Sequence, residues 1–236
     1  MGIMIDFLKT LFDKYSIEYD NDKLEKLQKF YQLVIAKNQV MNLTGITGEK
    51  EFATKNILDS VLPINLIPNG AKVVDIGAGA GFPSIPLKIL RPDLEIVMVD
   101  SLNKRVAFLK ECCEELNLNN IVAVHSRAED YATNNREKAD VCVARAVAKL
   151  NTLCEYCLPL VKIGGKMIAY KSIKAEEEIL EAKKAIDVLG GKVNNLQNVF
   201  VKEENSIRIN VVIHKIKNTP KEYPRSKNLP KNKPIL

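Results

Sequence analysis

The sequence predicts an α/β fold, a mostly parallel seven-stranded sheet whose last strand runs antiparallel, preceded by an N-terminal helical extension. Three observations carry this. From Ala71 onward, short β-branched runs alternate with helix-periodic segments, the pattern of a parallel sheet covered on both faces. The last two strand-like runs are separated only by Lys202–Ser206, short enough for a hairpin and therefore for an antiparallel pair. The first 45 or so residues carry a helical stripe and no strand-like run.

In the stretch Asp22–Lys37, residues Leu24, Leu27, Tyr31, Val34 and Ile35 share one stripe at helical period, with Asp20 or Asn21 as N-cap. The loop Asn42-Leu43-Thr44-Gly45 leads to a short helix around Glu49–Val61 that Pro63 limits. Val73–Ile76 opens the sheet and is followed by a helix through Leu90. Glu95–Val99 comes next, with a helix from Lys104 to Leu116, then the strands Ile121–Val124 and Ala139–Ala144. A helix around Leu150–Val161 is expected to stop at Gly164-Gly165, before a fifth strand at Lys166–Tyr170. The helix Ala175–Leu189 ends at Gly190-Gly191, and Lys192–Val201 and Ile207–Ile213 close the body. The expected division is a helical extension over 1–65, a ligand-binding core over 66–216 and a tail over 217–236.

With 236 residues, 46% hydrophobic and 27% charged, the chain is long enough to bury its own core, which excludes global disorder. Five cysteines, an odd number, argue against a disulfide framework and for a reducing compartment. No run of 18 apolar residues exists, and Met1–Asp6 lacks the layout of a signal peptide, so a cytoplasmic location is expected. The net charge of +6 sits in the tail, where Lys215, Lys217, Lys221, Arg225, Lys227, Lys231 and Lys233 face one acid, Glu222. Pro220, Pro224, Pro230 and Pro234 bar a regular helix there. Such an extended basic strip suits a polyanion; the plainer reading is a solvated terminus.

The most informative stretch is Asp75-Ile76-Gly77-Ala78-Gly79-Ala80-Gly81-Phe82-Pro83, a glycine-rich turn between a strand and a helix. Glycines at 77, 79 and 81 let a ligand lie against the backbone. Asp100 ends the second strand, where a carboxylate accepts hydrogen bonds from ribose hydroxyls. Asp75 would repel a pyrophosphate but welcome a cationic ligand, and G-x-G-x-G misses the dinucleotide spacing by one position. The residues therefore favour S-adenosyl-L-methionine over a nicotinamide or flavin. Ala128 and Glu129, after the third strand, are placed to meet an adenine. Arg145, at the end of the fourth strand, is a candidate for the cofactor carboxylate or a substrate phosphate, or a surface arginine without a role. Lys171, at the end of the fifth strand, is a candidate phosphate contact.

Other signals are weaker. Cys154 and Cys157 have metal-knuckle spacing but no second pair, so buried thiols and no metal are expected. Two histidines, His125 and His214, leave little material for a hydrolytic triad.

Taken together, Met41-Asn42-Leu43-Thr44, Ile57-Leu58-Asp59-Ser60, the glycine loop, Asp100-Ser101-Leu102-Asn103-Lys104-Arg105, Ala144-Arg145-Ala146 and Tyr223-Pro224-Arg225 resemble the bacterial ribosomal small-subunit RNA methyltransferase G family. The resemblance runs over nearly the whole chain and implies a Rossmann-like class I methyltransferase fold. It implies transfer of a methyl group from S-adenosyl-L-methionine to N7 of a guanine in 16S ribosomal RNA. It carries cofactor contacts onto Gly77, Phe82, Ala128, Glu129 and Arg145, joined by Gly79, Gly81 and Asp100 from the loop and strand reading. Many members have His where this chain has Asn56, and Lys-Gly where it has Lys171-Ser172. Guanine N7 bears a lone pair and no proton, so no catalytic acid or base is assigned. The expected partner is 16S ribosomal RNA or the small subunit, with the chain acting as a monomer. The rival reading is a non-catalytic RNA-binding or ribosome-assembly factor.

Overall fold

The computed structural model describes residues 3–236. Two helices open it, α1 (Ile3–Lys14) and α2 (Asn21–Asn38). Asp20 caps the second by accepting from the Lys23 amide at 2.8 Å, as its place before the apolar stripe predicts. Leu24, Leu27 and Val34 are buried as expected, whereas Tyr31 and Ile35 are only half-buried and Phe30 takes the central position. The short helix at 49–61 forms with an interruption: α3 (Glu49–Phe52) and α4 (Asp59–Val61) flank a π-helical turn, Ala53–Leu58.

The sheet then alternates as predicted. Strand β1 (Lys72–Ile76) leads to α5 (Ser84–Leu90), β2 (Glu95–Asp100) to α6 (Asn103–Glu115), and β3 (Ile121–His125) to α7 (Ala128–Asn134). Strand β4 (Ala139–Arg145) is followed by α8 (Leu150–Cys157), β5 (Val161–Lys171) by α9 (Ala175–Val188), and β6 (Gly191–Val201) by β7 (Ser206–Lys215). One boundary is corrected. The α8 helix ends at Cys157, where Pro159 limits it, and Gly164-Gly165 lies inside β5 instead of stopping a helix. A Cβ at Gly165 would stand 2.6 Å from the Asp140 carbonyl, so the strand needs glycine to lie this close to β4.

The strand order is β3-β2-β1-β4-β5-β7-β6. All pairs from β3 to β5 are parallel, and β7 inserts antiparallel between β5 and β6. The order reverses at β1 and β4, which leaves a crevice beyond their carboxyl ends. One apolar core joins the N-terminal helices to the sheet, with Met4, Leu8, Leu27 and Phe30 in the same cluster as Val73, Ile85 and Ile168. The extension thus shares its core with the sheet, at about 1.5–3 kcal/mol for each fully buried large side chain. The other face packs α7, α8 and α9. No helix among the described residues is long and apolar enough to cross a membrane.

The tail departs from the extended strip the composition suggests. Thr219 and Pro230 are buried, a one-turn helix α10 (Leu229–Asn232) forms, and the segment lies against α7 and α8. Backbone acceptors explain this: the Arg136 guanidinium donates to the carbonyls of Thr219, Pro220 and Tyr223. Prolines lack a donor but keep the carbonyl that such a clamp needs.

Candidate functional site

A cleft of ≈ 400 Å³ occupies the crevice, lined by Gly77 after β1, Asp100 to Leu102 after β2, Ser126 to Glu129 after β3 and Ala146 to Ala148 after β4. The glycine loop is tied to the neighbouring strand, with the Gly77 and Ala78 amides donating to the Val99 carbonyl at 2.8 and 3.1 Å. Gly77, Gly79 and Gly81 all have positive φ, at +76°, +58° and +101°. A Cβ at Gly77 would meet Val147 Cγ2 at 2.5 Å, and one at Gly81 would meet Ile85 Cδ1 at 2.6 Å. The backbone conformation and the room available therefore both demand glycine at these two places.

Beneath the loop lies an aromatic cluster that the N-terminal helices supply. Phe82 stands 5.3 Å from Phe30 and 5.5 Å from Phe52, ring centre to ring centre. Tilted and edge-on rings at this spacing each add about 0.5–1.5 kcal/mol beyond burial. The extension is thus the floor on which the loop rests.

Asp100 is 4% exposed and belongs to the cleft lining. Its Oδ2 accepts from the Gly79 amide and its Oδ1 from the Leu102 amide, both at 2.9 Å. The carboxylate is thereby oriented with lone pairs to spare for a further donor. Arg105 stands 3.7 Å from Oδ2. Asp75 is fully buried, with Oδ2 accepting from Ser84 Oγ at 2.7 Å, while Oδ1 has no hydrogen-bond partner. Burial pushes its pKa up from 3.8 to about 7, against the Ser84 hydrogen bond and the Arg145 charge, which pull it down.

Ala128 and Glu129 line the cleft as the sequence suggests, with Glu129 Oε1 accepting from Arg127 Nε at 3.0 Å and from the Asn228 amide at 3.2 Å. Gly79, Gly81 and Phe82 lie behind the lining, in the loop and its support. Two candidates are placed otherwise than expected. The Arg145 guanidinium donates to Asp59 Oδ2 at 2.8 Å, to Asn56 Oδ1 at 3.0 Å and to the Lys55 carbonyl at 2.9 Å, so it braces the N-terminal helices instead of facing the cleft. The Lys171 ammonium is held by Glu178 at 2.7 Å and the Ala148 carbonyl at 2.9 Å, and its side chain is only 10% exposed. An ammonium already paired and shielded makes a poor phosphate contact. His125 is exposed, with Nε2 3.0 Å from the Ser101 carbonyl.

The cysteines are all free and buried. Burial raises the thiol pKa of Cys154 and Cys157 well above the ordinary value, which keeps them protonated and unreactive. Among the described residues no group of three or more His, Cys, Asp or Glu side chains is arranged to hold a metal.

The sequence does not place Arg105, Val147, Ala148, Tyr156, Asn228 or Lys231 at the cleft, yet all of them line it. Arg105 follows Asp100 closely enough that its place at the start of α6 was open to inference. Tyr156 and the two tail residues carry no local signal, because only packing brings them to the cleft.

A family model described as rRNA small subunit methyltransferase G matches residues 23–207. Among curated proteins, the chain is 48% identical over 232 residues to a ribosomal RNA small subunit methyltransferase G of Desulforamulus reducens, with 97% of each chain covered. It is 45% identical over 228 residues to the protein of that name from Lactobacillus johnsonii, covering 94% of this chain and 95% of the other. Among solved structures, M. jannaschii TYW2 in complex with AdoMet aligns with TM-score 0.56 at 18% identity, covering 68% of this chain and 76% of that one. The fibrillarin pre-rRNA processing protein of Methanococcus jannaschii aligns with TM-score 0.51 at 17% identity, covering 67% and 74%. These two likenesses speak to the fold.

Proposed function

Since the chain belongs to the ribosomal RNA small subunit methyltransferase G family and uses S-adenosyl-L-methionine, we propose that it methylates N7 of one guanine in 16S ribosomal RNA. The observation that carries the reading is the cleft itself, where the turn at Gly77 meets the Asp100 carboxylate with the Asp75 carboxylate buried behind the lining. The residues present fit the cofactor. Asp75 Oδ1, buried behind the glycine turn and without a donor, favours a cationic group in the cleft; Asp100 suits the ribose hydroxyls; Ala128 and Glu129 suit the adenine. Gly77 leaves room beside Val147 at the cleft wall, Gly79 and Gly81 shape the turn behind it, and Phe82 with Arg145 supports the loop from below.

When bound, S-adenosyl-L-methionine supplies a methyl group on a cationic sulfur. No side chain is asked to take a proton, because guanine N7 carries none. What the chain contributes is placement: holding N7 in line at about 3–3.5 Å from the methyl carbon is worth roughly 7–11 kcal/mol of the barrier. In this reading residues 66–216 hold the cofactor, 1–65 support the glycine loop and shape the guanine side, and 217–236 complete the cleft and meet RNA phosphates. The protein works as a cytoplasmic monomer on the small subunit or its RNA.

The test is mass spectrometry of 16S ribosomal RNA, free and in 30S particles, after incubation with the protein and S-adenosyl-L-methionine. A single added methyl on one guanine, whose nucleoside takes up one water on mild alkaline opening of the imidazolium ring and keeps the methyl, is the expected result. RNA bound but unmodified under every condition would replace this reading with the assembly-factor one.

A further inference from the structure

We propose that the C-terminal segment 225–233 is the outer wall of the cofactor cleft, covering the nucleoside end with Asn228 and Lys231 and pinned there by the buried carboxylate of Glu155. The proposal rests on the reading that the cofactor occupies this cleft, and it adds a further side to those that the strand ends provide.

The wall is anchored at several points. Glu155, in the last turn of α8, is 1% exposed, and both its oxygens are taken by one residue of the tail. Arg225 donates from Nε to Oε1 at 2.9 Å, from Nη2 to Oε2 at 2.6 Å, and from its own backbone amide to Oε1 at 2.8 Å. A bidentate guanidinium together with an amide is what a carboxylate in so dry a place requires. Upstream, Arg136 clamps the carbonyls of Thr219, Pro220 and Tyr223. Downstream, Thr152 Oγ1 donates to the Pro230 carbonyl at 3.1 Å.

Between these anchors the chain is aimed at the cleft. Asn228 adopts the left-handed region, φ +59°, which turns its amide towards Glu129 Oε1 at 3.2 Å, while its side-chain carbonyl accepts from Arg127. Asparagine tolerates that backbone better than most residues. Asn228, beside Glu129, and Lys231 then join Tyr156 and Asp100 in the lining. Lys231 places a positive charge at a mouth that already holds these two carboxylates. The basic tail is therefore built into the ligand site, and its removal should cost cofactor affinity as well as RNA affinity.

A chain ending at Ser226 keeps Arg225 and the Arg136 clamp and loses Asn228, Lys231 and the Pro230 contact to Thr152, so it separates the wall from its upstream anchors. Calorimetry with S-adenosylhomocysteine should show binding at least about tenfold weaker than for the full chain, with the unliganded Tm changed by no more than a few degrees. The double variant Asn228→Gly, Lys231→Ala should weaken binding likewise even if the shortened chain does not fold, and Lys231→Arg should retain affinity. Asp100→Ala is the reference for the cleft. Full affinity in the wall variants beside a weakened Asp100→Ala overturns the wall and leaves the tail as an RNA arm. Full affinity in Asp100→Ala too removes the cofactor from this cleft and the wall with it.

Discussion

The Arg145 guanidinium stands 5.0 Å over the ring of Phe82 while its Nη1 donates to Asp59 at 2.8 Å. One side chain from the end of β4 thus touches the glycine loop and the N-terminal helices together. Arg208 from β7 reaches the other oxygen of Asp59 at 3.1 Å, so the brace extends across the sheet. Arg145→Ala should cost about 2 kcal/mol of stability in urea unfolding, less than a fully buried pair because Arg208 remains beside Asp59. Arg145→Lys should recover only part of it, since a lysine cannot serve Asp59, Asn56 and the Lys55 carbonyl at once.

Asp100→Ala should weaken S-adenosylhomocysteine binding by roughly 10- to 100-fold in calorimetry, the range expected when hydrogen bonds to a charged group are lost. It also frees the Gly79 and Leu102 amides, so the loop loosens as the ribose contact goes. An affinity equal to that of the unaltered protein would refute the ribose assignment.

Gly77→Ala adds a methyl that meets Val147 Cγ2 at 2.5 Å on a backbone at φ +76°. The strain should destabilise the fold by about 1–3 kcal/mol. Val147 lines the cleft, so the side chain that yields will intrude on the ligand. A parallel fall in Tm and in cofactor affinity is expected.

Asp75 gives a pH dependence of defined sign. Its folded pKa, raised from 3.8 to about 7 by burial, lies above the unfolded value, so the folded state holds more protons between those limits. Stability from this group is complete below about pH 4, declines as pH rises to about 7 and is level beyond, by at most about 4 kcal/mol. Asp75→Asn should flatten the unfolding free energy over that window. A cationic ligand in the cleft would lower the pKa again, so binding near pH 6.5 should release protons, seen as a buffer-dependent heat.

Lys171→Ala should cost about 1–2 kcal/mol of stability by releasing Glu178 and the Ala148 carbonyl. The salt dependence of RNA binding should change little, because a lysine already paired releases few counterions. A salt slope lower by about one would restore it as a phosphate contact.

The alternation of strands and helices, the antiparallel last strand, the glycine turn and Asp100 were legible in the sequence because each is local. Periodicity, β-branching and the positive φ that glycine allows are properties of a few neighbouring residues, and the parallel order then places their loops at one edge. Tertiary structure alone decided what those loops rest on and what closes them. Phe30 and Phe52 under Phe82, Arg145 turned to Asp59, and Arg225 on a glutamate 70 residues away in sequence are contacts of packing. Composition records that the tail is basic, but whether a cation faces solvent or a buried carboxylate depends on where the chain carries it, and desolvation sets that balance only once the fold has formed.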